Sequence, residues 1–344
     1  MKPGANVVIE GWSHALSWAT ALAREARRLK AHPLVLHEDE GAFWDSVESG
    51  EEATLGAAPA HEWAMLGPTD VYVHMWGPGD KVRLGELPSA RSSKIYAWNE
   101  AWYKAASKAG LRGARLEIGR PYPTLAKAYR VDLKGWTEEV ARATVVDPRG
   151  MAAAARPIAK ALERGRELRI YDDRGTDLTV GLARRPATLN VGQVSAQGMK
   201  SRFRMLTNLP AGFVGVALDE AVGEGTFVSN RSCYLDAARV TDVRMELHGG
   251  RLVSRSFGSG GEFFEESYRK GGKGRNQPGQ LRIGLNPMLH DTPQLEDSEA
   301  GAVTFSVGMN QFYSGGKNRS PYFGIAVNAG VTVEVDGKPL KLPS

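Results

Sequence analysis

The sequence predicts a chain in two parts: an α/β N-terminal domain with a parallel sheet, then an α+β C-terminal domain built on largely antiparallel sheet. Three observations predict this. All eight tryptophans lie between Trp12 and Trp136. Of the 40 glycines, 15 fall in residues 1–165 and the other 25 follow. Near residue 165 the apolar pattern changes from alternating strand-like and helix-like runs to short strand-like runs broken by glycine. The domains are therefore placed at 1–165 and 166–344, in keeping with roughly 150 residues per domain.

In the first part, β-rich runs predict strands at 6–10, 33–37, 70–75, 94–98 and 114–118. Residues 14–30, 100–109 and 123–131 mix Ala, Leu, Arg and Lys and read as helices. Strand–helix alternation predicts a parallel sheet with helices on both faces. The alanine-rich run 151–164 is one more helix, with Gly165 as its cap. In the second part, strands are predicted at 168–171, 177–182, 212–218, 226–229, 239–247, 281–285, 303–307, 322–327 and 331–335. Asp336-Gly337 and Gly249-Gly250 are hairpin turns. One helix is predicted at 257–270, and residues 269–275 read as a flexible basic linker.

Composition excludes several classes of function. With 42% hydrophobic and 24% charged residues, the chain can bury a core and is not disordered throughout. A net charge of +5 is too mild for a nucleic-acid partner. The single cysteine, Cys233, rules out an internal disulfide and a cysteine-based zinc site. No apolar run approaches the ~20 residues of a membrane span. The first residues carry no apolar signal stretch, so a cytoplasmic location is expected.

Common catalytic signatures are absent: GxSxG, GxxxxGK[ST], GxGxxG and HExxH do not occur. The glycine-rich segment Gly271–Gly274 can cradle an anion or serve as a solvated loop. Lys200, Arg202 and Arg204 flank Phe203 with period two and share a strand face, open to an anionic ligand, RNA or solvent. The seven histidines show no ligand spacing, and only His248 and His290 fall in the second part. Glu262 and Glu266 share a helix face beside Glu265. With His290 and Asp291 they can hold a metal, or they can simply face water.

Several segments of the second part, taken together, resemble the aminopeptidase T family of metal-dependent exopeptidases. They are Arg169–Leu178 (RIYDDRGTDL), Asn208–Gly212 (NLPAG), Gly279–Pro287 (GQLRIGLNP), Glu296-Asp297, Gly301–Asn310 (GAVTFSVGMN) and Tyr313–Ser320 (YSGGKNRS), in the family's order and spacing. Pro123-Thr124 and Val146-Asp147 agree more loosely in the first part. The resemblance implies an aminopeptidase T-like fold, a homodimer, and a centre of two divalent ions held by carboxylates and imidazoles. It also places the departures. Phe213 stands where the family has its first glutamate ligand, Gln280 at the second, and Thr304 at the first histidine. Tyr322-Phe323-Gly324 replaces the closing His-x-Asp. Phenylalanine and glycine side chains donate nothing to a metal, while threonine and glutamine are weak neutral donors. Without the ions nothing lowers the pKa of an attacking water. The iron-dependent dioxygenases of dihydroxypyridines, a related branch, rely on the same ligand types.

Two functions remain open. The first is a metal-free protein, with no cofactor, binding a peptide or small amino-bearing ligand in the old cleft. Its candidate contacts are Asn208, Phe213, Gln280, Thr304, Asn310, Tyr313, Asn318 and Tyr322. The asparagines can equally serve turn backbone. The second is a divergent hydrolase or other enzyme using relocated metals or acid–base groups among Glu220, Glu224, Glu265, His290 and Asp291. No nucleic acid or membrane partner is expected in either case.

Overall fold

The computed structural model describes residues 2–57, 59–195, 205–235 and 237–344. It forms two compact units, the first made of residues 1–137 and 192–210 and the second of 138–191 and 211–344. The basic triplet Lys200, Arg202 and Arg204, with Phe203, lies outside the described residues.

The first unit alternates strands and helices as expected. Its elements are β1 (Asn6–Trp12), α1 (Leu16–Arg28), β2 (His32–Glu38), α2 (Glu40–Ser49), α3 (Ala60–Leu66), β3 (Val71–Met75), α4 (Lys81–Gly85), α5 (Ser89–Lys108), β4 (Gly113–Leu116) and α6 (Pro123–Tyr129). α7 (Leu133–Thr144) carries the chain out of it. Among the described residues, its sheet has five strands in the order β2-β1-β3-β4-β8, every pair parallel, with β8 (Leu206–Leu209) arriving late in the chain. One face buries Val7, Ile9 and Met75 against Ala19, Ala23 and Ala26 of α1. The other buries Val8, Tyr72 and Leu206 against Leu66 of α3 and Ala106 of α5. The strand predicted at 94–98 is instead part of α5. Its β-branched and aromatic residues suggest a strand, but Ile95, Trp98, Trp102 and Ala106 recur at helical spacing. That face packs inward while Tyr96 points to solvent.

In the second unit, the first turn of α8 (Pro148–Arg164) is capped by the Asp147 carboxylate accepting from Arg149 N. Then come β5 (Glu167–Tyr171), β6 (Asp177–Leu182), β7 (Thr188–Asn190), β9 (Phe213–Val228), β10 (Cys233–Leu235), β11 (Ala238–Val240), β12 (Arg244–His248), β13 (Arg251–Ser256) and α9 (Gly261–Lys270). β14 (Pro278–Gly284), β15 (Ala302–Gly308), β16 (Phe323–Ala329), β17 (Thr332–Val335) and β18 (Lys338–Pro339) complete it. Among the described residues, eleven strands form one antiparallel sheet in the order β16-β15-β14-β9-β6-β5-β17-β18, with β7, β12 and β13 attached through β9. β10 and β11 pair by themselves.

The strands predicted at 212–218 and 226–229 are one strand, β9. The glycines between them do not break it. A Cβ at Gly225, whose φ is 103°, would lie 2.1 Å from Asp177 O, so the residue marks a close backbone approach. Both predicted hairpin turns form, with Gly249, Gly250, Asp336 and Gly337 all at positive φ. The segment 269–275 is not a free linker. Asn318 Nδ2 donates to Gly274 O, Ser320 Oγ donates to Gly271 O, and Arg275 Nη1 donates to Tyr268 O.

Candidate functional site

β9, β14, β15 and β16 lie side by side, so register decides which side chains share a face. Phe213 pairs with Gly284, Gly215 with Arg282, Arg282 with Thr304, and Thr304 with Val327. Alternation then puts Phe213, Gln280, Arg282 and Thr304 on one face. Val214, Ile283, Val303 and Phe305 fall on the other, which is fully buried.

Arg282 is the centre of the first face. Its guanidinium carbon lies 5.0 Å from the ring of Phe213, 5.7 Å from that of Tyr313 and 5.9 Å from that of Phe323. Nη1 is paired with Asp297 Oδ2. Burial works against the charge, but Tyr313 and Asp297 outweigh it and hold the guanidinium firmly protonated. Burial pushes the Tyr313 hydroxyl up to about 12, with Arg282 partly offsetting it. Three polar atoms here are buried without a hydrogen-bond partner: Arg282 Nε, the Tyr313 hydroxyl and the Thr304 hydroxyl across the ladder. Gln280 is also buried, and its backbone N donates to Ser306 Oγ.

Asn310 and Asn318 belong to a neighbouring network that shapes a loop. Asn310 Nδ2 donates to Glu220 Oε1 and Gly279 O, while Asn310 Oδ1 accepts from Asn318 N. Asn318 Nδ2 donates to Gly274 O, and its Oδ1 accepts from Ser320 N. Both amides are thus committed to loop backbone and Glu220. Glu220 accepts two charged hydrogen bonds from Arg185. Burial opposes its ionisation, yet Arg185, Asn310 and Lys317 N pull it down to about 2.

The other candidates have surroundings of their own. Tyr322 packs edge-on against Tyr268, 5.1 Å between centroids, and its buried hydroxyl has no partner. Arg255 stacks on Tyr268 and pairs with Glu265. Glu266 pairs with Lys270, so α9 turns its carboxylates to cations of its own surroundings. Glu224 pairs with His248, both exposed. His290 is exposed and lies 3.2 Å from Glu299, while Asp291 accepts from Ser232 N. These groups do not converge with α9. Asn208 lies in the first unit, on β8 beside Arg115 of β4.

Does this face fit a pair of divalent ions? Among the described residues, no three His, Cys, Asp or Glu side chains are placed to hold a metal ion. At the positions implied for ligands stand Phe213, Gln280 and Thr304, gathered about a fixed guanidinium. A permanent cation repels a divalent ion at short range. The residues present do not fit the dinuclear group. Arg282 was not anticipated, although a lone arginine two residues after Gln280 was a signal: alternation puts both on one face.

An α/β unit with a five-stranded parallel sheet, joined in one chain to a broad antiparallel sheet carrying these motifs, defines an aminopeptidase-like scaffold. Residues 1–270 match the thermophilic metalloprotease (M29) family, and the chain belongs to that family. The structure is similar to wild-type AmpT from Thermus thermophilus, with 19% identity and a TM-score of 0.69, covering 99% of this chain and 94% of that one. It is also similar to 2,5-dihydroxypyridine dioxygenase from Pseudomonas putida KT2440, with 17% identity and a TM-score of 0.63, covering 98% and 90%. No curated protein matches the sequence. Among the described residues, no helix is long and apolar enough to cross a membrane.

Proposed function

We propose that this chain is a metal-free member of its peptidase family that binds a peptide, using Arg282 where relatives use cations of another kind. The observation that carries this reading is the guanidinium walled by Phe213, Tyr313 and Phe323. Its Nε and the Tyr313 and Thr304 hydroxyls are unpartnered polar atoms a ligand oxygen can engage. A peptide carbonyl or terminal carboxylate suits such donors, and the aromatic rings supply walls for an apolar side chain. A bare amino group does not suit Arg282, because like charges repel. The peptide's own ammonium must therefore lie away from it. The protein acts as a homodimer in this reading, following the family resemblance.

Elemental analysis, thermal shift and light scattering on the purified full chain test the proposal together. The expected result is no stoichiometric metal, a peptide that raises Tm with EDTA present and is recovered uncleaved, and twice the chain mass of 37.3 kDa. Changing Arg282→Met should weaken that peptide by about tenfold to a hundredfold, the range for losing a charged hydrogen bond. Bound zinc, cobalt, manganese or iron with chelator-sensitive hydrolysis would replace this reading with a divergent hydrolase. A monomeric mass would remove the dimer alone.

A further inference from the structure

A second constellation lies in the first unit. In a parallel sheet ordered β2-β1-β3-β4-β8, the chain runs outward in opposite directions from β1 and β3. Ligands of open parallel sheets settle at such a switch point, beyond the carboxyl ends of the strands. There, on one face, four polar residues sit side by side in register: Glu10 of β1, His74 of β3, Arg115 of β4 and Asn208 of β8. One step earlier on the same face the residues are Val8, Tyr72 and Leu206, which belong to the apolar core. The core gives way to charge at the end where a ligand is expected.

Carboxylates gather at one end of the row, while the cations at the other end are shared with the buried Glu117. On the β1–β2 side stand Glu10, Glu38 and, from α3, Glu62, close enough for each charge to be felt at Glu38. On the β4 side stands Arg115, its guanidinium 5.2 Å from the Trp76 ring and 5.9 Å from that of Tyr103. Lys81 and Arg120 face the same indole at 5.0 and 4.1 Å. Part of the row is satisfied internally. Tyr72 donates to Glu10 Oε2, His74 Nδ1 lies 3.0 Å from Glu10 Oε1, and Arg115 Nη2 donates to the Tyr103 hydroxyl. Arg115 Nε, however, is buried without a partner. Burial, then the charges of Glu10 and Glu62, push the Glu38 carboxyl up to about 7, with His74 partly offsetting them.

We propose that this row binds a free α-amino acid, its carboxylate received by Arg115 and its ammonium held between Glu10 and Glu38, with Trp76 and Tyr103 as walls. Opposed charges favour this over a plain acid or a plain amine, because one α-carbon carries both a carboxylate and an ammonium. The inference does not depend on the peptide reading of the second unit.

The twenty standard amino acids, added singly at millimolar concentration to the full chain, test it by thermal shift and calorimetry. At least one should raise Tm, and its deaminated acid and decarboxylated amine should each bind about tenfold or more weakly. Glu38→Gln should weaken the amino acid while leaving the deaminated acid unchanged, and Arg115→Gln should weaken both. If Arg115→Gln does not fold, as judged by circular dichroism, the Glu38→Gln comparison decides by itself. No response to any of the twenty, or an equal effect of Glu38→Gln on both ligands, would overturn the proposal.

Discussion

At the scale of single residues, Glu296 links pH to stability in the second unit. It is 3% exposed. Its Oε1 accepts from Tyr234 N at 3.0 Å, and its Oε2 has no partner. Burial, then the neighbouring Asp297 and Asp291 charges, push its pKa from 4.5 up to about 8. The folded state therefore holds this proton more tightly than the unfolded chain does. Its contribution is intact below pH 4.5, declines as pH rises towards 8, and is flat above. Glu296→Gln removes the ionisation while keeping the acceptor for Tyr234 N. The variant should match the wild type at the acid end of that window and exceed it at the basic end by on the order of 2–4 kcal/mol. Urea unfolding at both ends checks the sign, and an equal difference at the two would remove Glu296 as the source. Glu38 titrates in a similar direction, but it is present in both proteins and cancels.

At the scale of elements, the Arg282 face depends on how closely Tyr313 can approach β9. A Cβ on Gly215 would lie 2.6 Å from Tyr313 Cε1 and 3.0 Å from Leu281 O. Gly215→Ala should therefore cost about 1–3 kcal/mol through overpacking. Combined with Tyr313→Ala, the cost should be smaller than the sum of the two, because the ring that clashes is gone. Denaturant melts of the four proteins measure this coupling, and strict additivity would show that the ring does not rest on Gly215. Much of the sheet in which this occurs was legible. Alternating runs such as Ala302–Gly308 and the paired turn glycines announce strands and hairpins. What periodicity cannot supply is register. Glu10, His74, Arg115 and Asn208 come from four distant segments and become one row only when β1, β3, β4 and β8 pair. The same holds for Arg282 and Thr304. The replaced ligand positions were visible as Phe213, Gln280 and Thr304, but the cation standing among them was not. α5 was misread for the opposite reason, local propensity in Lys94–Trp98 outweighing a helical period that extends to Ala106.

At the scale of the whole molecule, the first unit is discontinuous in sequence. It takes residues 1–137, releases the chain, and takes it back at 192–210 to add β8 to the edge of its sheet. A boundary drawn from composition at residue 165 omits that strand. A fragment of residues 1–165 would expose the backbone edge of β4, and would lose Met205 and Leu206 from the core beneath α3 and α5. Burial of each such side chain contributes roughly 1.5–3 kcal/mol, a large share of the stability of one domain. The 1–165 fragment is therefore expected to bind hydrophobic dyes and melt without a sharp transition. Joining residues 192–210 behind Thr137 through a flexible glycine–serine linker should restore cooperative unfolding, since the parallel pairing of β8 with β4 needs only a connection long enough to reach. A fragment of 1–165 that already melts sharply, with no gain from the added segment, would show that β8 is dispensable and that the compositional boundary is also the folding boundary.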